Sequence, residues 1–183
     1  MGGVAGVWGE APGPDPGGYP VRRPGRSGEE GLLVPARAVI DASVLLASLL
    51  PDEPAHAEAR ELLELAIFSP GKAELFSATL LPYELTNGLW QAVRQGRLTP
   101  EDVERILEKY ELFEISLYSV LPKRVISLAK ILGYPSAYDV AYLALAEEEK
   151  VPFVTADKRL YNAVRGKFPR ILLIRDFLVA LRE

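Results

Sequence analysis

No cysteine occurs in the 183 residues, and there is one histidine, His56. These absences exclude disulfides, thiol catalysis, thiolate or multi-histidine zinc sites, and any mechanism that needs two imidazoles. Chemistry is left to carboxylates, hydroxyls, lysine and arginine. Long hydrophobic runs are missing too. The run at residues 44–50 is far below the roughly 18 residues that a membrane-spanning helix needs, so no membrane partner is expected. The chain does not open with a basic stretch, an apolar core and a small-residue cleavage site, which makes a cytoplasmic location the expectation. A surplus of positive charge is also absent. With a net charge of −4, nucleic acid is not held by bulk electrostatics, and any such contact must be local. The glycine-rich cofactor and P-loop signatures and the nucleophile-elbow motif do not occur, so dinucleotide, P-loop and α/β-hydrolase readings lack their central element. Asn and Gln number two each and Met one, a scarcity of heat-labile types that fits a thermophilic source.

What is present suffices for one domain. The chain is 49% hydrophobic and 25% charged, enough for one buried core and too short for two ordinary ones. Residues 1–36 hold ten of the 15 glycines and six of the 15 prolines, a composition unable to offset its ordering entropy by burial. They are expected to be a flexible tail. Its Arg22, Arg23 and Arg26 serve either as an arm for RNA or a partner, or simply as a solvated basic cluster. Residues 37–183 form the expected domain.

From residue 37 onward short apolar runs alternate with longer helical patterns, the signature of an α/β fold with a mostly parallel sheet. Five strands are predicted at residues 37–40, 74–77, 113–117, 152–155 and 170–174. The clearest helices are predicted at residues 55–68, 81–95, 99–110, 119–132, 136–149 and 158–165. Thr99 followed by Pro100 and Asp102 is a helix entry, and Gly96, Gly133 and Gly166 stand where helices should stop.

Three of the seven aspartates fall at one topological place. Asp41 closes the first strand, Asp157 follows the strand at 152–155, and Asp139 opens a helix; in an open parallel sheet that place is the carboxyl edge, where ligands bind. Each also suits helix capping: Asp41 and Asp157 as N-caps, and Asp139 as the fourth residue of a box opened by Ser136. Asp139 strains that alternative, because Leu143 and Ala146 lie at helical spacing from it and direct its carboxylate toward a buried face. Glu84 lies at the edge of the stripe Leu81, Leu85, Leu89 and Val93, with Gly88 one turn on leaving its flank open. Taken alone it is equally an ordinary solvated glutamate. Carboxylates crowded together repel unless cations are present, and an oxygen-only donor set with open positions suits Mg²⁺ or Mn²⁺.

Val39-Ile40-Asp41-Ala42-Ser43, Glu84-Leu85-Thr86-Asn87-Gly88-Leu89, the run from Tyr138-Asp139 to Ala146, and Val154-Thr155-Ala156-Asp157-Lys158-Arg159-Leu160 together resemble the four ordered motifs of PIN domains, over residues 37–177. No motif is specific alone; their order, spacing and placement carry the resemblance. It implies a three-layer α/β/α fold around a mostly parallel five-stranded sheet. It implies Asp41, Glu84, Asp139 and Asp157 as catalytic and metal-holding residues around Mg²⁺, with Mn²⁺ able to substitute, and Ser43 or Thr155 in support. It further implies an endoribonuclease acting on single-stranded or structured RNA and commonly a homodimer. Small stand-alone members are similar to VapC toxins, which are silenced by a cognate antitoxin. The segment before Arg37, which short toxins lack, is a departure. A housekeeping RNA-processing nuclease, and a PIN-like binding or regulatory protein with little cleavage, stand as alternatives.

Two other folds also place an aspartate after the first strand. A haloacid-dehalogenase phosphatase needs a second aspartate where Ser43 stands, and a receiver domain needs one after its third strand, where Tyr118 stands. Lys158 and Arg159, with Arg165, Lys167 and Arg170 beyond, suit contacts to RNA phosphates or a solvated face. His56 reads as a surface residue. Tyr83, Leu89 and Trp90 suit packing in the core or a dimer contact better than base stacking.

Overall fold

The computed structural model describes residues 36–69 and 71–182; the expected tail at 1–36 lies outside them but for Ala36. Five strands form one wholly parallel sheet: β1 (Ala36–Ile40), β2 (Ala73–Ala78), β3 (Ser116–Tyr118), β4 (Phe153–Thr155) and β5 (Ile171–Leu173), in the order β3-β2-β1-β4-β5. In β1, Ala38, Val39 and Ile40 are buried without alternation, as in a central strand covered on both faces. The eight helices are α1 (Ala42–Leu49), α2 (His56–Phe68), α3 (Leu81–Arg94), α4 (Pro100–Glu111), α5 (Pro122–Leu132), α6 (Ala137–Glu149), α7 (Lys158–Val164) and α8 (Ile174–Ala180). They fall into packed groups: α1 with α2 and α3, α2 with α8, α3 with α4, and separately α5 with α6, each group reaching the sheet. This is the three-layer α/β/α arrangement expected. No helix of the described residues is long and apolar enough to cross a membrane.

Local chemistry accounts for the element ends. Thr99 and Asp102 close a reciprocal capping box with Pro100 in the first turn of α4, and Gly133 ends α5 at φ 66°, a conformation that disfavours any Cβ. Seven consecutive residues of α6, Val140 to Ala146, are buried, because this helix packs on α5 and on β1, β2 and β4. Two helices were given no range from the sequence pattern, although Asp41 was read as the N-cap of a helix after the first strand. The segment α1 is too short and too uniformly apolar for a 3.6-residue period to show. The segment α8 starts directly at the end of β5 with no turn residue between, so residues 170–174 read as a single strand. The strand β3 starts at Ser116 rather than 113, because Glu114 takes φ 47° and breaks the extended run.

The chain leaves β1 for β2 on one side, and β4 returns on the other. The carboxyl ends of β1 and β4 therefore flank the switch point, where a parallel sheet opens a crevice.

Candidate active site

Asp41 follows β1 at that crevice and is only 6% exposed. As the N-cap of α1 it accepts the Ser43 N–H at 3.0 Å and the Val44 N–H at 3.3 Å through Oδ1. Ser43 Oγ donates to the same oxygen at 2.5 Å, and Thr155 Oγ1 donates to Oδ2 at 2.6 Å. The two hydroxyl oxygens lie 3.1 Å apart. Each has one proton, and both are spent on Asp41. Ser43 Oγ accepts the Ala156 N–H at 2.9 Å and Thr155 Oγ1 the Asp157 N–H at 3.0 Å. The ends of β1 and β4 are thus joined through side chains where their ladder stops. Burial raises the Asp41 carboxyl to about 6, against the lowering effect of these bonds and with a smaller upward push from Asp157.

Asp157 caps α7, accepting the Arg159 N–H at 2.7 Å and the Leu160 N–H at 3.1 Å, both through Oδ1. Glu84 lies in the first turn of α3, half-buried, and accepts the Tyr142 hydroxyl on Oε2 at 2.6 Å. Its acidity is weakened first by burial and then by the charges of Asp139 and Asp41, with Tyr142 opposing. Asp139 lies in the first turn of α6, where Ser136 Oγ accepts its N–H at 3.4 Å. Burial raises its carboxyl, as does Asp157; the hydroxyls of Ser136 and Tyr134 and the charge of Arg159 draw it down. The charges of the four acids reach one another in pairs along the crevice: Asp41 with Asp157, Glu84 with Asp139 and Asp41, Asp139 with Asp157.

Among the described residues no group of three or more acidic, histidine or cysteine side chains is placed so as to hold an ion. The arrangement is an open one. Asp157 Oδ2 and Glu84 Oε1 stand outside the hydrogen bonds that hold their partner oxygens. Mg²⁺ characteristically uses one or two carboxylates and keeps several waters instead of demanding an all-protein shell, so the oxygen donors present here fit it.

Several expectations change in detail. Asp139 is half-exposed, because the buried wall of α6 begins only at Val140. Its alternative role is half fulfilled: Ser136 caps the helix, but the reciprocal bond that closes the box at Thr99 is not formed here. Gly88 does not leave a flank open. A Cβ there would stand 2.5 Å from Leu46 Cδ1, so the missing side chain lets α1 pack on α3. The core stripe of α3 ends on Ala92, with Val93 only partly covered. His56 is half-buried, its Nδ1 2.9 Å from the Ala47 carbonyl, tying α2 to α1. Lys158 and Arg159 are exposed beside Asp157, whereas Lys167 donates to the Leu132 carbonyl at 2.9 Å and Arg165 lies over the Tyr161 ring.

The sequence pattern missed Tyr142 and Ser77. Tyr142 is fully buried and stacked on Phe153 with centroids 6.1 Å apart, and burial followed by Glu84 holds its proton firmly. Its spacing of three from Asp139 was the available signal, hidden in an otherwise apolar helix. Ser77 is fully buried and donates to the Ile40 carbonyl at 2.6 Å, bracing the residue just before Asp41. Nothing in the β2 pattern marked it.

Fold and crevice together define an α/β protein with four carboxylates at a parallel-sheet switch point. Residues 38–166 match the PIN domain family, and the chain belongs to that family. It is 29% identical over 140 residues to Ribonuclease VapC3 of Pyrobaculum aerophilum, covering 74% of this chain and 98% of that protein. It is 32% identical over 133 residues to Ribonuclease VapC9 of Mycobacterium tuberculosis, covering 72% and 94%. The fold is shared with the crystal structure of PAE2754 from Pyrobaculum aerophilum, at TM-score 0.60 and 24% identity over 81% of this chain and 98% of that one.

Proposed function

We propose that this protein is a Mg²⁺-dependent endoribonuclease that hydrolyses phosphodiester bonds of single-stranded or structured RNA, and that it is the toxin of a VapBC-type toxin–antitoxin pair. The observation that carries the nuclease reading is the buried, hydroxyl-bound Asp41 at a crevice shared with Glu84, Asp139 and Asp157, its acidity weakened first by burial and slightly further by the charge of Asp157. Such crowding is costly without a cation. The relatives named VapC ribonucleases support the same reading and suggest the antitoxin partner.

Asp41, Glu84, Asp139 and Asp157 would hold the ion. Bound there, Mg²⁺ supplies an activated water and neutralises charge on the leaving oxygen. The chain's own groups do the rest. Ser43, Thr155 and the Val44 N–H fix both oxygens of Asp41, while Tyr142 fixes Glu84, so the carboxylates are oriented before substrate arrives. Lys158 and Arg159 meet the RNA phosphates and supply the local positive charge that the net charge of −4 withholds elsewhere.

The test is cleavage of mixed cellular RNA with Mg²⁺, with Mn²⁺ and with chelator, the cut ends mapped. Cuts that need either ion support the reading; cuts that persist in chelator, or no cuts in any condition, contradict it. For the toxin reading, induction in a bacterial host should arrest growth, and co-expression of a short reading frame adjoining the gene should relieve the arrest.

A further inference from the structure

A cleft of about 630 Å³ adjoins the crevice and shares Thr155 and Asp157 with it. Its size is that of small-molecule sites. Part of its wall is apolar, formed by Ala47, Pro54, Ala156, Leu173 and Ile174. The rest is charged in both signs. Glu53 is engaged by Arg97 at 2.6 Å, but Glu58, Lys158, Arg175 and Asp176 make no ion pair or side-chain hydrogen bond among the described residues. Unspent donors and acceptors beside an apolar wall match a flat ligand with apolar faces and a polar edge. A phosphate there would meet Glu58 and Asp176, and a wholly apolar ligand would strip water from four charges without replacing it.

We propose that this cleft receives the nucleobase adjoining the scissile bond and selects a base that carries an exocyclic amino group. Carboxylates accept from such amines, as acidic side chains do from cytosine N4. With Lys158 and Arg175 turned to the flanking phosphates, uracil's carbonyl at that place sets oxygen against Glu58 and Asp176. With the base in the cleft, its phosphate falls beside Asp157, where Lys158 and Arg159 are exposed. The inference rests on the RNA-cleaving reading above, and its test separates the two.

The full chain and a Glu58→Ala/Asp176→Ala variant, altered only at one half-exposed and one exposed position of the cleft, are given short single-stranded RNAs that differ at one nucleotide beside the mapped cut. The parent should cut an RNA with cytosine there about tenfold faster than one with uracil, the lower end of a direct base contact. The variant should retain cleavage with the ratio reduced to about one. A ratio unchanged in the variant, or a parent indifferent to the base, overturns the proposal. Calorimetric titration with cytidine and uridine monophosphates gives the independent arm. Tighter binding of the cytidine nucleotide, lost in the variant, supports the cleft even if no RNA is cut, in which case only the nuclease reading fails. Equal binding of both nucleotides by the parent counts against the cleft.

Discussion

Asp41 concentrates the physical tension of the molecule in one side chain. Its carboxyl titrates at about 6 in the fold against 3.8 ordinarily, so the folded protein holds this proton more tightly than the unfolded chain does. Without divalent cations, the stability contributed by the proton is present in full below about pH 4 and is lost as pH rises through 6. At 1.36 kcal/mol per unit the loss is roughly 3 kcal/mol. Glu84 and Asp139 are shifted in the same direction and add to it. Melting curves between pH 4 and 7.5 in chelator should show stability falling across that window, and Mg²⁺ should shrink the fall by favouring the ionised carboxylates. A curve that rises with pH in chelator would show that the acids are not burdened as described. At this scale much of the site was legible: three aspartates at strand ends and helix starts carry their positions in the sequence itself. Tyr142 and Ser77 were not, because a buried polar group looks like one more core residue until its partner's position is known. The partner of Tyr142 is 58 residues away and that of Ser77 is 37 residues away.

Among the elements, α1 and α3 owe their contact to Gly88, where Leu46 occupies the space of a side chain. Alanine is favoured over glycine in a helix by about 1 kcal/mol, but that gain should not appear while Leu46 stands in the way. We expect Gly88→Ala to leave the parent no more stable, and to raise stability by about 1 kcal/mol in a Leu46→Ala background. Denaturant unfolding of the four proteins in the cycle measures this coupling; additive effects would refute the packing argument. Strongly periodic elements with caps, such as α3, α4 and α5, were readable from the sequence to within a few residues. The misses have separate causes. The helix α1 is short and uniformly apolar, α8 follows β5 with no intervening turn residue, and in β3 a positive φ at Glu114 sets a start that no local propensity specifies.

At the scale of the whole molecule, a parallel sheet and a three-layer build followed from the alternation of patterns, whereas strand order is a long-range property that short runs do not encode. The surface raises a different question. Tyr83 and Trp90, seven residues apart on α3, are 77% and 53% exposed. They form an aromatic face of the kind that marks subunit contacts. We expect a homodimer through this face. Sedimentation at micromolar concentration should give a dimer for the parent and a monomer for Tyr83→Ala/Trp90→Ala, and a monomeric parent would refute it. The central claim is that the four acids hold a catalytic cation and do not merely cap helices. The direct measurement is thermal melting of the parent and Asp139→Asn, each with and without Mg²⁺, beside one RNA cleavage assay. If the claim holds, the substitution removes a mutually repelling charge, so the metal-free variant is at least as stable as the parent. Mg²⁺ should then stabilise it less, since a ligand raises stability according to its affinity for the folded state, and cleavage should fall by orders of magnitude. A variant that melts lower by about 1 kcal/mol, gains as much from Mg²⁺ as the parent and still cuts RNA would contradict it.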